Sequence, residues 1–265
     1  MPHDVSSIAV LIPARYGSSR FPGKPLALLD GRPLIQHVYE AAARTSGVSD
    51  VRVVTDDERI VRAVRAFGGL VMIVDAPCRT GTDRIAKAAE QVDCPIIVNL
   101  QADEIPLHSE LLRDLIDPFV AHEGAGMGTL KRRITAQQEL EDTALVKVVT
   151  DANDQAVYFS RLPIPYVRDT HTEPLRAFTY YSHLGIYIFR RSTLFQFARL
   201  PTGSLEDAEK LEQLRALEHG LSIHVWETKR PSLRIDRPEE LESASAHYEK
   251  YSKPTVRSLA TELTS

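Results

Sequence analysis

The sequence contains little cysteine and no long apolar run. Its only cysteines, Cys78 and Cys94, are too few for a disulfide framework and lack the spaced Cys/His companions of a zinc site. The apolar run Ile8–Ile12 is too short for the core of a signal peptide or for a membrane span. We therefore expect a cytoplasmic protein that makes no membrane contact.

The chain also lacks an excess of positive charge. It has 32 lysines and arginines against 36 aspartates and glutamates, so the basic footprint of a protein that binds nucleic acid polymers is absent. The proportions of hydrophobic residues (43%) and charged residues (26%) are typical of a globular protein. A chain of 265 residues can bury roughly three quarters of its unfolded surface without a stabilising disulfide or metal. We expect one domain over residues 1–265.

Short apolar runs alternate with helical patterns in the first hundred residues. The runs, which are rich in branched side chains, are typical of strands buried on both faces of a parallel sheet. The alternation predicts an α/β sheet with helices on both faces, whose ligands bind beyond the carboxyl ends of the strands. The predicted strands are Ile8–Ile12, Val51–Val54, Leu70–Val74 and Ile96–Leu100, and the predicted helices are Leu34–Arg44, Glu58–Phe67 and Asp83–Val92.

The second half of the chain has a different pattern. A turn-rich link, Asp151–Asp154, separates two apolar runs and predicts an antiparallel hairpin. We therefore expect a β-rich region inserted at about residues 130–190. The predicted elements of this half are strands at Val146–Thr150, Ala156–Ser160, His183–Phe189 and Ile223–Glu227 and helices at Glu206–His219 and Pro238–Glu249.

The segment after the first strand combines glycines, hydroxyls and positive charge. Its three cations, Arg15, Arg20 and Lys24, lie at the edge of the sheet where ligands bind. Backbone N–H groups of a glycine-containing loop and cationic side chains suit a polyanion such as a triphosphate. The segment is not a Walker A loop, because Pro25 follows the lysine. A solvated basic surface loop is the alternative interpretation.

Carboxylates follow the fourth strand and recur near the C-terminus. Asp103 and Glu104 would lie where a nucleotide in the same crevice needs Mg²⁺, which takes one or two carboxylates together with water and phosphate oxygens. Asp236 precedes a predicted helix and is equally suited to capping it. In Arg79–Arg84 the hydroxyls of Thr80 and Thr82 flank the turn glycine Gly81, a pattern suited to capping a helix or to reading the edge of a base.

Seven sequence motifs, taken together, resemble those of one enzyme family, the 3-deoxy-manno-octulosonate (Kdo) cytidylyltransferases, or CMP-Kdo synthetases. The resemblance extends over about residues 8–245. The motifs, in chain order, are IPARYGSSRFPGKPL, TGTDRI, VNLQADE, YFSR, HLGIYIF, LEQLRALEHG and IDRPEEL.

The resemblance implies a fold, a reaction and an assembly. The fold would be a Rossmann-like α/β nucleotidyltransferase with a mixed, mostly parallel central sheet and a smaller β-rich region through which a homodimer forms. The reaction would be a Mg²⁺-dependent transfer of CMP from CTP to the anomeric hydroxyl of a 2-keto-3-deoxy sugar acid, with release of pyrophosphate. The partners would then be CTP and an acidic small molecule, and the pathway would be lipopolysaccharide biosynthesis.

The resemblance also assigns roles to individual residues. Catalysis would fall to Arg15, Lys24, Asp103 and Asp236, and the two aspartates would bind Mg²⁺. The nucleotide would be bound by Arg15, Ser18, Ser19, Arg20, Lys24, Thr80, Gly81, Asp83 and Gln101. The sugar acid would be bound by Arg161, His183, Tyr187, Glu212 and Gln213, with Arg161 as the partner of its carboxylate.

Two of the motifs depart from the family pattern. Where the family has Gln-Gly-Asp-Glu-Pro, this chain has Ala102 in place of the glycine and Ile105 in place of the proline. Where the family has Gly-x-Asp-Thr-Pro, it has Arg234 and Arg237. Two alternatives are therefore open. The acceptor is a modified sugar acid or another anionic molecule such as a phosphonate, or the chain is a nucleotide-binding paralogue without catalysis.

Overall fold

The structure is a computed structural model that describes residues 7–17, 21–108, 110–168, 174–235, 237–241, 244–245 and 248. Four of the predicted site residues lie outside the described residues, namely Ser18, Ser19, Arg20 and Asp236.

The strands and helices alternate through the first half of the chain, as predicted. The strands are β1 (Ile8–Pro13), β2 (Leu28–Leu29), β3 (Arg32–Pro33), β4 (Val48–Thr55), β5 (Val71–Ile73), β6 (Ile96–Leu100), β7 (Glu104–Pro106), β8 (Met127–Arg133), β9 (Lys147–Thr150), β10 (Ala156–Ser160), β11 (Tyr181–Arg190), β12 (His224–Glu227) and β13 (Ser232–Arg234). The helices are α1 (Leu34–Ala43), α2 (Glu58–Ala66), α3 (Gly81–Ala89), α4 (Glu110–Ala121), α5 (Gln137–Glu141), α6 (Pro174–Ala177), α7 (Arg191–Arg199), α8 (Ser204–Glu209) and α9 (Leu214–Glu218). A 3₁₀ turn covers Lys24–Leu26, and residues 240–241, 244–245 and 248 are helical.

A mixed sheet of nine strands forms the centre of the molecule. Its main path runs β10-β9-β11-β6-β1-β4-β5, and β8 pairs with both β11 and β12. The predicted parallel strands are confirmed, because β1 pairs in parallel with β4 and β6, and β4 pairs in parallel with β5. Antiparallel pairing begins where β11 joins β6. The strands of the predicted β-rich region therefore extend the central sheet.

The two faces of the sheet are both covered, which explains why β1 is apolar at every position. All six residues of β1 are buried. Val10 and Ile12 pack into one hydrophobic cluster, whereas Ala9 and Leu11 pack into another. This division follows from the two-residue period of a strand, whose successive side chains point to opposite faces.

One predicted helix, Glu206–His219, is wrong as a single element. The helix α8 ends at Glu209, and the left-handed backbone of Lys210 (φ 54°) breaks the continuity before α9 begins. The buried Arg215 then donates to both carboxylate oxygens of Glu206, at 2.7 and 2.5 Å. This ion pair holds the two short helices together, with residues 210–213 forming the segment between them.

No helix within the described ranges is long and apolar enough to cross a membrane.

Candidate active site

A cavity of about 570 Å³ opens where β1 and β6 end and β11 begins. These three strands are neighbours in the sheet, so the side chains that follow or begin them converge. Most of the predicted site residues that the structure describes contribute to its wall. Those residues are Arg15, Thr80, Gly81, Gln101, Arg161, His183, Tyr187, Glu212 and Gln213.

Lys24 and Asp103 meet beside this cavity. The Nζ atom of Lys24 donates to Oδ2 of Asp103 at 2.6 Å, and the two side chains are 11% and 27% exposed. The 3₁₀ turn that carries Lys24 follows Gly23, whose backbone is left-handed (φ 74°) and whose position leaves a Cβ only 3.1 Å from the Tyr16 ring. Glycine is therefore required here for the loop to bring the lysine to the carboxylate.

The backbone just before Asp236 is hydrogen-bonded to Asp103, which follows β6. The backbone N–H of Ile235 donates to the carbonyl oxygen of Asp103 at 3.3 Å. Just before it, β13 pairs antiparallel with β7, so that Arg234 lies opposite Glu104. The chain thus returns to the β6 end more than a hundred residues later.

A chain of hydrogen bonds crosses the floor of the site from Gln101 to Glu212. The Gln101 amide donates to Asn99 Oδ1 at 3.0 Å, and Asn99 in turn donates to Thr82 Oγ1 at 2.9 Å. The Thr82 hydroxyl donates to Glu212 Oε1. Asn99 and Thr82 are fully buried, so these bonds hold the two cavity-lining side chains in place. Burial raises the pKa of Glu212. Hydrogen bonds from Thr82 and Thr80 lower it by less, so the pKa lies above its usual value.

Sequence reasoning missed Asn99 as a site residue, and it placed Thr82 near the nucleotide only as part of the segment from Thr80 to Asp83. Asn99 gave a usable signal, because it is the polar residue within the otherwise apolar run Ile96–Leu100. A buried strand tolerates such a residue only when its polar atoms have partners. Thr82 was noted only as a hydroxyl beside Gly81, because its bonds to Asn99 and Glu212 depend on residues distant in the sequence.

The start of α3 combines a helix cap with a close backbone approach. Thr80 Oγ1 accepts from the Asp83 backbone N–H at 3.2 Å, which confirms the capping interpretation. A Cβ at Gly81 would stand 3.2 Å from the Pro13 ring and 3.3 Å from the side-chain oxygen Oε1 of Gln101. The Asp83 carboxylate accepts from Arg79 at 3.1 Å and from Arg215 at 3.3 Å. Its predicted nucleotide contact stays a prediction.

His183 and Tyr187 line the cavity from β11, whose pairing with β8 is interrupted between Leu184 and Tyr187. His183 Nε2 lies 3.0 Å from Thr129 Oγ1, and that hydroxyl lies 2.7 Å from the Ile186 carbonyl oxygen. Because the single hydroxyl hydrogen serves a carbonyl, His183 donates from Nε2. Burial, with a smaller effect of the Arg234 charge, lowers the pKa of His183 to about 3. Burial also raises the pKa of Tyr187 well above its usual value, so both rings are neutral at pH 7.

Arg161 connects β10 to the end of α8. Its Nε, Nη1 and Nη2 atoms donate to the carbonyl oxygens of Glu209, Thr143 and Lys210, at 2.8, 3.2 and 3.4 Å. The guanidinium therefore lines the cavity, while its three nitrogen atoms donate hydrogen bonds to backbone carbonyl groups.

The side chain of Gln213 is buried in the same wall. Gln213 is 3% exposed, and its Nε2 atom has no hydrogen-bond partner among the described residues.

The mixed sheet, the basic loop after β1 and the carboxylates after β6 together define a nucleotide-binding α/β fold, and comparison with known proteins identifies its family. A family model described as cytidylyltransferase matches residues 9–223. The chain is 48% identical to the 8-amino-3,8-dideoxy-manno-octulosonate cytidylyltransferase of Shewanella woodyi, over 91% of this chain and 98% of that protein. It is 47% identical to the 3-deoxy-manno-octulosonate cytidylyltransferase of Geobacter metallireducens, over 89% and 95%.

A solved structure agrees with these relatives. CMP:2-keto-3-deoxy-manno-octonic acid synthetase, solved in complex with CTP, superimposes with a TM-score of 0.85 and is 38% identical, covering 92% of this chain and 99% of that one. The chain belongs to the cytidylyltransferase family. Within it, the predicted resemblance to the 3-deoxy-manno-octulosonate cytidylyltransferases is confirmed.

Proposed function

We propose that this protein transfers CMP from CTP to the anomeric hydroxyl of Kdo or of its 8-amino-8-deoxy analogue and releases pyrophosphate. The observation that carries the proposal is the convergence of Lys24, Asp103 and the cavity-lining residues at the ends of β1 and β6. The support from relatives is that the two curated proteins above are named for these two sugar acids and that the solved relative was crystallised with CTP.

The reaction needs positioning and charge stabilisation more than covalent chemistry. The anomeric oxygen forms a bond to the α-phosphorus of CTP, the bond from that phosphorus to the pyrophosphate oxygen breaks, and the hydroxyl proton leaves to solvent. Negative charge grows on the departing pyrophosphate. Arg15 and Lys24, at the carboxyl end of β1, are the cations that would stabilise it.

The side chains near Asp103 fit Mg²⁺. Lys24 holds Oδ2 of Asp103, whereas Oδ1 accepts no hydrogen bond from any residue in the described ranges. An available carboxylate oxygen on Asp103 suits an ion that takes one or two carboxylates and completes its shell with water and phosphate oxygens. Asp103 and Asp236 would hold the ion, which when bound neutralises charge on the triphosphate.

The acceptor would lie against β11 and the segment between α8 and α9. There, neutral His183 and Tyr187 offer hydrogen-bonding groups that do not repel an anion. The buried Gln213 amide would gain a partner from an acceptor hydroxyl after a small shift. Glu212, fixed by Thr82, would accept from a second hydroxyl or from an ammonium group.

The exposed apolar side chains around β10 support a homodimer. β10 is an edge strand of the central sheet, and its Val157 is 60% exposed. Leu162 and Tyr166, in the segment after β10, are 64% and 75% exposed, and Phe178, shortly before β11, is 42% exposed. An exposed apolar residue on an edge strand, with further apolar side chains exposed in the segments that follow, is a liability in a monomer and is ordinarily covered. A second copy of the chain would cover them.

Pyrophosphate release tests the proposal directly. Purified protein with CTP and Mg²⁺ is expected to release one pyrophosphate per CMP-sugar formed with Kdo or with its 8-amino analogue. If pyrophosphate is released with another anionic acceptor but with neither sugar acid, the proposed acceptor is wrong and the proposed transfer of CMP from CTP stands. Binding of CTP without release in any of these mixtures would identify a paralogue that has lost catalysis.

A further inference from the structure

Tyr16, in the basic loop after β1, contacts the far end of that loop. The backbone N–H of Gly23 donates to the Tyr16 carbonyl oxygen at 2.8 Å, and a Cβ on that glycine would stand 3.1 Å from the Tyr16 ring. Arg15, which lines the cavity, immediately precedes Tyr16. Lys24, which pairs with Asp103, immediately follows Gly23. The contact between Tyr16 and Gly23 therefore joins the two parts of the loop that carry these cations.

Arg59, at the start of α2, stacks on the Tyr16 ring. Its Cζ atom lies 3.2 Å from the ring centroid, and a guanidinium in this position is attracted by the negative face of the ring. Asp57, which caps α2, accepts from the Nε and Nη2 atoms of Arg59 at 2.9 and 2.6 Å. These hydrogen bonds lower the pKa of the Asp57 carboxyl, so the pair stays ionised at neutral pH. Three side chains thus connect the start of a regular helix with the basic loop.

This stack orders the loop more than it stabilises the fold. The Arg59 side chain is 50% exposed, and an exposed ion pair such as that with Asp57 contributes little to the free energy of unfolding. The Tyr16 ring is only half-buried. A loop that is already ordered holds its cations in place before the ligand arrives, and preorganisation of this kind raises affinity.

We infer that Arg59 and Tyr16 are positioning residues, which hold the loop after β1 so that its cations face the β- and γ-phosphates of CTP. The inference rests on the proposed function, which places these phosphates beside Arg15 and Lys24. Direct binding of the phosphates by Arg59 is the competing explanation. The ion pair with Asp57 argues against it, because that carboxylate already uses the guanidinium edge formed by Nε and Nη2 and balances its charge.

The test compares two nucleotides that differ only in these phosphates. Binding of CTP and of CMP is measured by titration calorimetry with Mg²⁺ and without an acceptor, and thermal unfolding verifies that each variant is folded. Arg59→Gln is expected to raise Kd for CTP roughly 3- to 30-fold, the range that corresponds to the loss of a cation–π contact, and to leave Kd for CMP unchanged. Arg59→Lys keeps a cation near the ring and should retain part of the affinity.

Variants of Tyr16 distinguish positioning from direct binding. Tyr16→Leu removes the aromatic face but leaves the Arg59 charge, so positioning predicts a loss like that of Arg59→Gln, whereas direct binding predicts none. Tyr16→Phe keeps the face and should retain most of the affinity. In the double variant Tyr16→Leu/Arg59→Gln the two losses should not add, because both substitutions remove the same contact. The control is Arg62→Gln, which removes a charge from an exposed position on the same helix and should bind CTP normally.

The outcomes separate this inference from the proposed function. An unchanged Kd for CTP in Tyr16→Leu, additive losses in the double variant, or an equal loss of CTP and CMP binding would overturn the positioning role. The proposed function would still stand if the wild type releases pyrophosphate with either sugar acid. The expected losses in a protein that releases none would overturn the proposed function and leave the positioning role standing. A wild type that does not bind CTP would overturn both.

Discussion

Lys24 donates a hydrogen bond to Asp103 at 2.6 Å, although 79 positions separate them in the sequence. The contact exists because β1 and β6 are parallel neighbours, so the segments that follow them leave the sheet at the same edge. It places a loop cation and a strand-end carboxylate at the point where we propose that the triphosphate binds. The first prediction concerns this carboxylate.

Asp103→Asn should abolish most of the activity while leaving the fold intact. The asparagine amide keeps an oxygen that accepts from Lys24. It lacks the negative charge that would bind Mg²⁺ and that balances the positive charge of the lysine. We expect kcat to fall about 100-fold or more, a loss comparable to that of a charge-stabilising group in other active sites. Pyrophosphate release is the measurement, with thermal unfolding to verify the fold. A variant within threefold of the wild type would remove Asp103 from the mechanism.

Thr82→Val should weaken binding of the acceptor. The substitution keeps the shape of the side chain but removes the hydroxyl between Asn99 and Glu212. We expect KM for the sugar acid to rise about tenfold, because losing a hydrogen bond typically costs about 1 kcal/mol and a buried partner is left unsatisfied. Thr45→Val, which removes a buried hydroxyl at the end of α1, is the control and should leave KM unchanged. Equal KM values in all three proteins would exclude the hydrogen-bonded chain from the site.

Arg215→Met should destabilise the protein severely. The arginine is completely buried and forms ion pairs with Glu206 and Asp83. Its loss leaves the buried Glu206 carboxylate without its cationic partner, whereas Asp83 retains Arg79. We expect the free energy of unfolding to fall by about 3–5 kcal/mol in urea titrations. Lys210→Met, which breaks an exposed pair with Asp207, should change it little. Similar stabilities for the two variants would contradict the role given to the Glu206 ion pair.

His183 should make the folded state sensitive to acid. Its pKa is about 3 in the folded protein, against 6.5 for an unperturbed histidine, so only the unfolded state gains the proton between these pH values. The stability contribution is complete above pH 6.5 and is lost as the pH falls, at up to about 1.4 kcal/mol per pH unit. The His183→Gln variant should therefore show a shallower loss of stability between pH 6.5 and 4.5. Parallel curves for variant and wild type would show that His183 does not stay neutral.

Val157→Asp should break the proposed homodimer. A carboxylate on the exposed face of β10 would have to be buried without a partner in the interface. Sedimentation equilibrium should give a dimer for the wild type and a monomer for the variant. Ala152→Asp, in the exposed turn before β10, is the matched control and should remain dimeric. A wild type that is monomeric at micromolar concentration would refute the assembly.

The strands of the sheet could be predicted from sequence, because a strand buried on both faces is a short, continuous run of apolar residues. The run Ile96–Leu100 matches β6 at both ends, and the expected hairpin is present in β9 and β10. The convergence of Lys24 and Asp103 followed from the same reasoning, since parallel strands share one functional edge.

Features that depend on distant partners could not be predicted in this way. The break at Lys210 has no local cause in the sequence, because lysine is an acceptable helix former. It is stabilised by Arg215 reaching back to Glu206, a contact that is visible only in three dimensions. Likewise, the interactions of Arg161 with three backbone carbonyls could not be read from its position after a strand.

A crystal structure with CTP and Mn²⁺ would test the central claim most directly, because the anomalous signal of manganese locates the metal independently of the phosphates. The account predicts one ion bound by oxygens of Asp103, Asp236 and the triphosphate, with Lys24 and Arg15 against the phosphates. A triphosphate bound away from the ends of β1 and β6, or a metal bound without Asp103, would contradict it.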